Sequence, residues 1–76
     1  MMTVIETRTK AHIEPSRRTG LPVVHTTTAI RYEADRDGCD MGEYLVIYRY
    51  HDDILVRIED GPFGRVGARE LWATLS

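Results

Sequence analysis

Between Thr3 and Ile13 the chain alternates, with Ile5, Thr7, Thr9, Ala11 and Ile13 on one side and Glu6, Arg8, Lys10 and His12 on the other. A side-chain period of two is that of a half-exposed β-strand. The pattern stops at EPSRRTGLP, where Pro15, Gly20 and Pro22 predict a loop, with room for one helical turn after Pro15. It resumes from Val23 to Ala34, where Val24, Thr26, Thr28, Ile30 and Tyr32 oppose His25, Thr27, Arg31 and Glu33. Six threonines fall in these two segments, and β-branching there favours strand over helix.

A polar turn region, DRDGCDMG, precedes the most regular stretch, YLVIYRYHDDILVRIED at 44–60. Large apolar groups on both sides of Tyr44–Tyr50 suit an interior strand or one covered on both faces. A three-residue loop of His51, Asp52 and Asp53 predicts Tyr50 facing Ile54, Tyr48 facing Val56 and Val46 facing Ile58, which gives the longest apolar stripe. A loop of two or four residues would instead set Leu45 and Ile47 on the side of Val56 and Ile58. The loop lacks an Asn-Gly or Asp-Gly pair, so the turn type is open. After Gly61, Pro62 and Gly64, the segment GARELWATL places Ala68, Leu71, Trp72 and Leu75 at i, i+3, i+4 and i+7, one face of a helix. Gly67 is its expected N-cap and Glu70 its N3 residue.

The expected fold is therefore α+β in a single domain spanning 1–76: an antiparallel sheet of about four strands with one C-terminal helix. A small SH3-like barrel is the alternative. A nine-residue helix is roughly 13 Å long, against roughly 15 Å across four strands that run further along their own axes. Such a helix cannot hide a whole sheet face. Either the sheet curls into a barrel, or a second copy or a partner covers the remainder.

Composition narrows the setting. A 76-residue chain is at the small end of what folds alone, so association is worth expecting. Cys39 is the single cysteine, which excludes an internal disulfide and a thiolate zinc site. No stretch has the length and apolarity of a membrane span, and Met1–Lys10 lacks an export h-region, so a cytoplasmic location is expected. The net charge of −2 divides unevenly: residues 1–31 carry +3 and residues 32–76 carry −5. An acidic total argues against a dedicated nucleic-acid binder while leaving a local basic face possible.

Candidate chemistry is sparse, and no stretch carries a family signature. YHDD sets His51 beside Asp52 and Asp53, but neighbours on a tight loop seldom converge on one point, and a nucleophile is missing. Asp35, Asp37, Asp40 and Glu43 make an oxygen-rich loop, yet the order of ligands and glycine departs from an EF-hand, so it reads as a solvated turn. Acidic neighbours should raise the Cys39 thiol pKa, which disfavours a nucleophile. No catalytic residue, cofactor or metal is expected, and the protein reads as a non-enzyme. Arg8, Lys10 and His12 in a row, continued by Arg17 and Arg18, form a candidate nucleic-acid surface, because alternate strand side chains match the spacing of phosphates. Tyr44, Tyr48 and Tyr50 could supply stacking surfaces for bases, or a core.

Tyr48, Arg49, Tyr50 and Arg57 around the hairpin are of the types that anchor protein interfaces. The leading expectation is a small non-catalytic interaction module, an inhibitor or adaptor that acts as a homodimer or on a larger protein. Nucleic-acid binding through Arg8, Lys10, His12, Arg17 and Arg18 is the alternative.

Overall fold

The computed structural model describes residues 2–36 and 41–75. Four strands follow one another as a meander, β1 (Met2–Pro15), β2 (Pro22–Asp35), β3 (Met41–His51) and β4 (Ile54–Pro62), and α1 (Val66–Thr74) closes the chain. The sheet order is β1-β2-β3-β4, with every neighbouring pair antiparallel. This is the expected α+β architecture. The barrel alternative does not hold: β1 and β4 remain edge strands of an open sheet. Closure would need those edges to meet, and a sequential meander of four strands leaves them at opposite sides.

Register divides the sheet into two unlike faces. Cross-strand rows such as Arg8–Ala29–Ile47–Glu59 and Lys10–Thr27–Arg49–Arg57 lie on one face. The other carries Thr9–Thr28–Tyr48–Ile58 and Thr7–Ile30–Val46–Asp60. The helix docks on the first. Trp72 and Leu75 pack with Ala29, Leu45 and Ile47, and Phe63, Ala68 and Leu71 complete the cluster. Ala29 is fully buried beneath it. The predicted helical stripe of Ala68, Leu71, Trp72 and Leu75 is the one that docks. Its start differs: Arg65 is the N-cap, with no side-chain hydrogen bond, so Gly67 and Glu70 lie inside the helix. With no side-chain cap, docking rather than local chemistry holds the element.

Arg8 is the unexpected part of this core. Its position on the charged side of β1 suggests solvent, yet its guanidinium lies 4.2 Å from the centroid of the Trp72 ring. Its Nη1 donates to the Trp72 carbonyl at 2.9 Å and its Nε to Glu6 at 2.8 Å. The Trp72 carbonyl also accepts from the Leu75 amide at 3.2 Å, and a cation beside it in the last turn opposes the negative end of the helix dipole. Arg31 covers Phe63 in turn, its guanidinium 4.3 Å from the ring while it pairs with Glu43 at 2.8 Å. Long cationic stems thus extend a core that aliphatic residues alone do not fill.

The β3–β4 register corrects the three-residue loop. His51 pairs with Ile54 across a two-residue turn, and Asp52 and Asp53 both have positive φ, 51° and 66°. That is the handedness of a type I′ turn. Tyr50 then faces Leu55, and the ladder slips between Arg49 and Tyr50, so that Arg49 faces Arg57 and Tyr48 faces Ile58. Val56 is the extra residue, a β-bulge that returns Ile58 to the tyrosine side. A second irregularity, at Ile5, separates Val4 from Glu6 in β1. The β1–β2 loop has one turn of helical type, with the Gly20 amide donating to the Ser16 carbonyl at 2.8 Å. Gly20 at φ 74° ends that turn as a left-handed cap.

The molecule is less compact than its length predicts. Its radius of gyration is 14.6 Å, against about 11 Å for a compact domain of this size. Its accessible surface is 5569 Å², roughly 800 Å² above the value expected for a folded monomer of this mass.

Candidate functional site

The face opposite the helix is uncovered, and its composition is that of a core. From β1 to β4 it presents Val4, Thr7, Thr9, Ala11 and Ile13; Val24, Thr26, Thr28, Ile30 and Tyr32; Tyr44, Val46, Tyr48 and Tyr50; and Leu55 and Ile58. Ile13 is 69% exposed and Ile58 55% exposed, which is unusual for aliphatic residues on paired strands. Thr9 and Thr28 hydrogen-bond across the ladder at 3.2 Å, leaving their methyl groups as surface.

Asp60, on the edge strand β4, is a carboxylate that this face's strand rows contribute, and it is paired in place. The Tyr32 hydroxyl lies 2.8 and 2.9 Å from its two carboxylate oxygens, and Arg36 Nη1 donates to the Tyr32 oxygen at 3.1 Å and to Asp60 at 3.3 Å. Arg36 also covers the Tyr44 ring at 4.5 Å, and Tyr44 stacks on Tyr32 with centroids 5.7 Å apart. Burial pushes the Tyr32 phenol above its ordinary pKa; the hydrogen bond to Asp60 and the charge of that carboxylate add to it.

The helix face has a second, polar region where α1 does not reach. Lys10, Thr27, Arg49 and Arg57 form one row across all four strands. Arg57 pairs with Glu59, whereas the Nε of Arg49 is buried and has no hydrogen-bond partner among the described residues. In the next row His12, His25 and His51 are aligned on β1, β2 and β3. The His12 and His25 rings stack at 5.1 Å, and His51 meets His25 edge-on at 4.5 Å. Glu14, two residues along β1, puts one carboxylate oxygen 3.0 Å from His12 Nε2 and the other 3.6 Å from His25 Nε2. Beside them a cleft of about 540 Å³ is lined by Glu14, Arg17, Arg18, His25 and His51. A shallower groove of about 620 Å³ runs between the helix and β4, over Leu45, Ile47, Gly61, Ala68 and Leu71.

Set against the sequence-derived candidates, the structure separates what the chain places together. Tyr48 and Tyr50 belong to the uncovered apolar face, and Arg49 and Arg57 to the opposite one. Of the expected nucleic-acid residues, Arg8 is engaged with Trp72 and His12 is bound to Glu14, while Arg17 and Arg18 line the loop end of the sheet. His51 contacts His25, and Asp52 and Asp53 form the turn. Cys39, Asp37 and Asp40, and with them the oxygen-rich loop, lie outside the described residues. Sequence reasoning missed the grouping of His12, Glu14 and His25 and the pairing of Tyr32 with Asp60. Only the register reveals either, since the partners are 13 and 28 residues apart.

These features define a class by architecture alone, an open-faced antiparallel meander with one docked helix. Compared with known protein families, curated proteins and solved structures, the chain matches none.

Proposed function

We propose that this protein is a non-catalytic interaction module that works as a homodimer, two copies burying their helix-free sheet faces against each other. The observation that carries the reading is the uncovered face itself, a continuous aliphatic, threonine and tyrosine surface with its charge neutralised internally. Burying such a face is favourable at about 25 cal/mol per Å² of apolar area. The excess surface of about 800 Å² equals one partner's share of a standard interface, about 800 Å². Face-to-face packing of two sheets about 10 Å apart is a common solution for sheets apolar on one side.

A second copy suits this face better than a charged partner. An isologous contact sets each residue near the two-fold axis against its own equivalent, so charges there would repel. Thr28 and Tyr48, at the centre of the face, carry none. Tyr44, Tyr48 and Tyr50 supply area with a polar tip, as interface anchors do. The dimer keeps both helix faces outward, free to act on a larger protein as an inhibitor or adaptor would.

Analytical ultracentrifugation tests this. The wild-type chain should sediment at twice its monomer mass at micromolar concentration. Thr28→Glu, which plants a charge in the centre of the uncovered face, should reduce it to a monomer with an unchanged circular dichroism spectrum. Thr27→Glu, one residue along and on the other face, should leave the dimer intact. A wild-type monomer at 100 micromolar, or a dimer indifferent to Thr28→Glu, would refute the reading.

A second reading has one specific observation in its favour. The cationic row Lys10, Arg49 and Arg57 across the strands is suited to phosphate oxygens and supports nucleic-acid binding on the helix face. Gel shifts of single- and double-stranded DNA and RNA at low salt decide it. Arg49→Gln should abolish any shift; no shift in the wild type disposes of this reading.

A further inference from the structure

We propose that His12, Glu14 and His25 form a binding site for a divalent transition-metal ion of the zinc class, with a fourth coordination position open to the β1–β2 loop. Among the described residues these three are the group whose ligand atoms come together, all within 4.8 Å of one another. The site stands on the face opposite the proposed dimer surface and does not depend on that reading.

The geometry is close to what an ion requires. Tetrahedral zinc with bonds of about 2.0–2.1 Å to nitrogen and oxygen sets neighbouring ligand atoms roughly 3.3 Å apart. The Glu14 carboxylate reaches the two histidines through different oxygens, Oε1 3.0 Å from His12 Nε2 and Oε2 3.6 Å from His25 Nε2, and the three ligand atoms lie within 4.8 Å of one another. An ion therefore needs the two stacked imidazoles to rotate until their ring-plane lone pairs converge, a side-chain rearrangement that keeps the backbone path. The backbone is also of the rigid kind. His12 and Glu14 are i and i+2 on β1, and His25 is the direct ladder partner of His12 on β2. Three ligands on two hydrogen-bonded strands lose little freedom on binding.

Donor chemistry selects the class of ion. Two imidazoles and one carboxylate suit zinc, nickel or copper, whereas calcium and magnesium prefer oxygen ligands. Protein ligands to three positions leave the fourth for water or an anion, the arrangement of an open zinc site rather than a closed structural one. Arg17 and Arg18 line the adjoining cleft, so a carboxylate or phosphate is the favoured fourth ligand. His51, edge-on to the His25 ring at 4.5 Å, borders the site. The ligands are solvent-accessible, with His12 and Glu14 side chains 52% and 56% exposed. Affinity in the micromolar range, on the order of 8 kcal/mol, is expected rather than that of a buried site.

Isothermal titration of zinc chloride into the tag-free full chain is the test. One ion per chain should bind saturably, and His12→Ala, His25→Ala and Glu14→Gln should each weaken binding by at least tenfold. Folding can be checked for each variant without metal. Substoichiometric paramagnetic copper should, independently, broaden the amide resonances around residues 12–14 and 25 before those of the helix. Absence of saturable zinc binding up to millimolar concentration overturns the proposal. So does binding that His25→Ala leaves undiminished, or copper broadening spread evenly over the chain.

Discussion

At the scale of single residues, the uncovered face contrasts with Tyr32, a large side chain that is settled on it. Tyr32 is 6% exposed although it sits on that face, because Arg36 and Tyr44 fold over it and its hydroxyl donates to Asp60. Its phenol is held above the ordinary value of 10.0, by burial first and then by the Asp60 hydrogen bond and charge. The sign follows directly. The folded state binds this proton more tightly than the unfolded chain does, so the interaction stabilises fully below pH 10 and fades as pH rises through the higher folded value. Phenolate absorbance in an alkaline titration should therefore show one of the four tyrosines ionising last, and Tyr32→Phe should remove that step. If all four titrate together in the native protein, the pairing with Asp60 has no energetic weight. The same substitution should lower stability at neutral pH by about 1 kcal/mol, the usual worth of one hydrogen bond to a partly buried acceptor.

Elements were legible in the chain where a single period ran uninterrupted. The alternation of Glu6, Arg8, Lys10 and His12 and the stripe of Ala68, Leu71, Trp72 and Leu75 each specified its element, because period depends only on local geometry. Two things were not legible. One was the β3–β4 register, since neither the Asp52–Asp53 turn nor the Val56 bulge has a composition that announces it. The other was the face the helix would choose: Arg8 looks like a solvent residue until Trp72 is set beneath it. The histidine and glutamate cluster was hidden for the same reason, being a product of register. The turn offers a direct check. Non-glycine residues in the left-handed region carry strain, less for Asp than for most, and a type I′ turn favours Asn-Gly. Replacing Asp52–Asp53 by Asn-Gly should raise stability by about 1 kcal/mol in urea denaturation with the m-value unchanged. A loss of stability would show that the turn is not of this type.

For the whole molecule, the decisive quantity is how little core one chain possesses. Five residues make its buried cluster, Ala29, Leu45, Ile47, Trp72 and Leu75, all on one side of a sheet that is nearly as apolar on the other. A layer hydrophobic on both faces and covered on one contradicts the logic of a self-sufficient two-layer domain. Pairing the bare faces restores it, giving helix, sheet, sheet and helix in four layers. In that arrangement folding and association are linked, and stability must depend on protein concentration. Each tenfold rise in concentration adds about 1.4 kcal/mol per dimer, which for roughly 150 residues corresponds to a Tm increase of about 3–6 °C. Calorimetry from 5 to 500 micromolar should show that slope for the wild type and for Thr27→Glu. Thr28→Glu should instead melt at one lower temperature throughout, because its chains have no second layer to gain. A wild-type Tm that stays constant over those two decades would mean that the single helix suffices, and that the bare face is tolerated for a purpose other than pairing with itself.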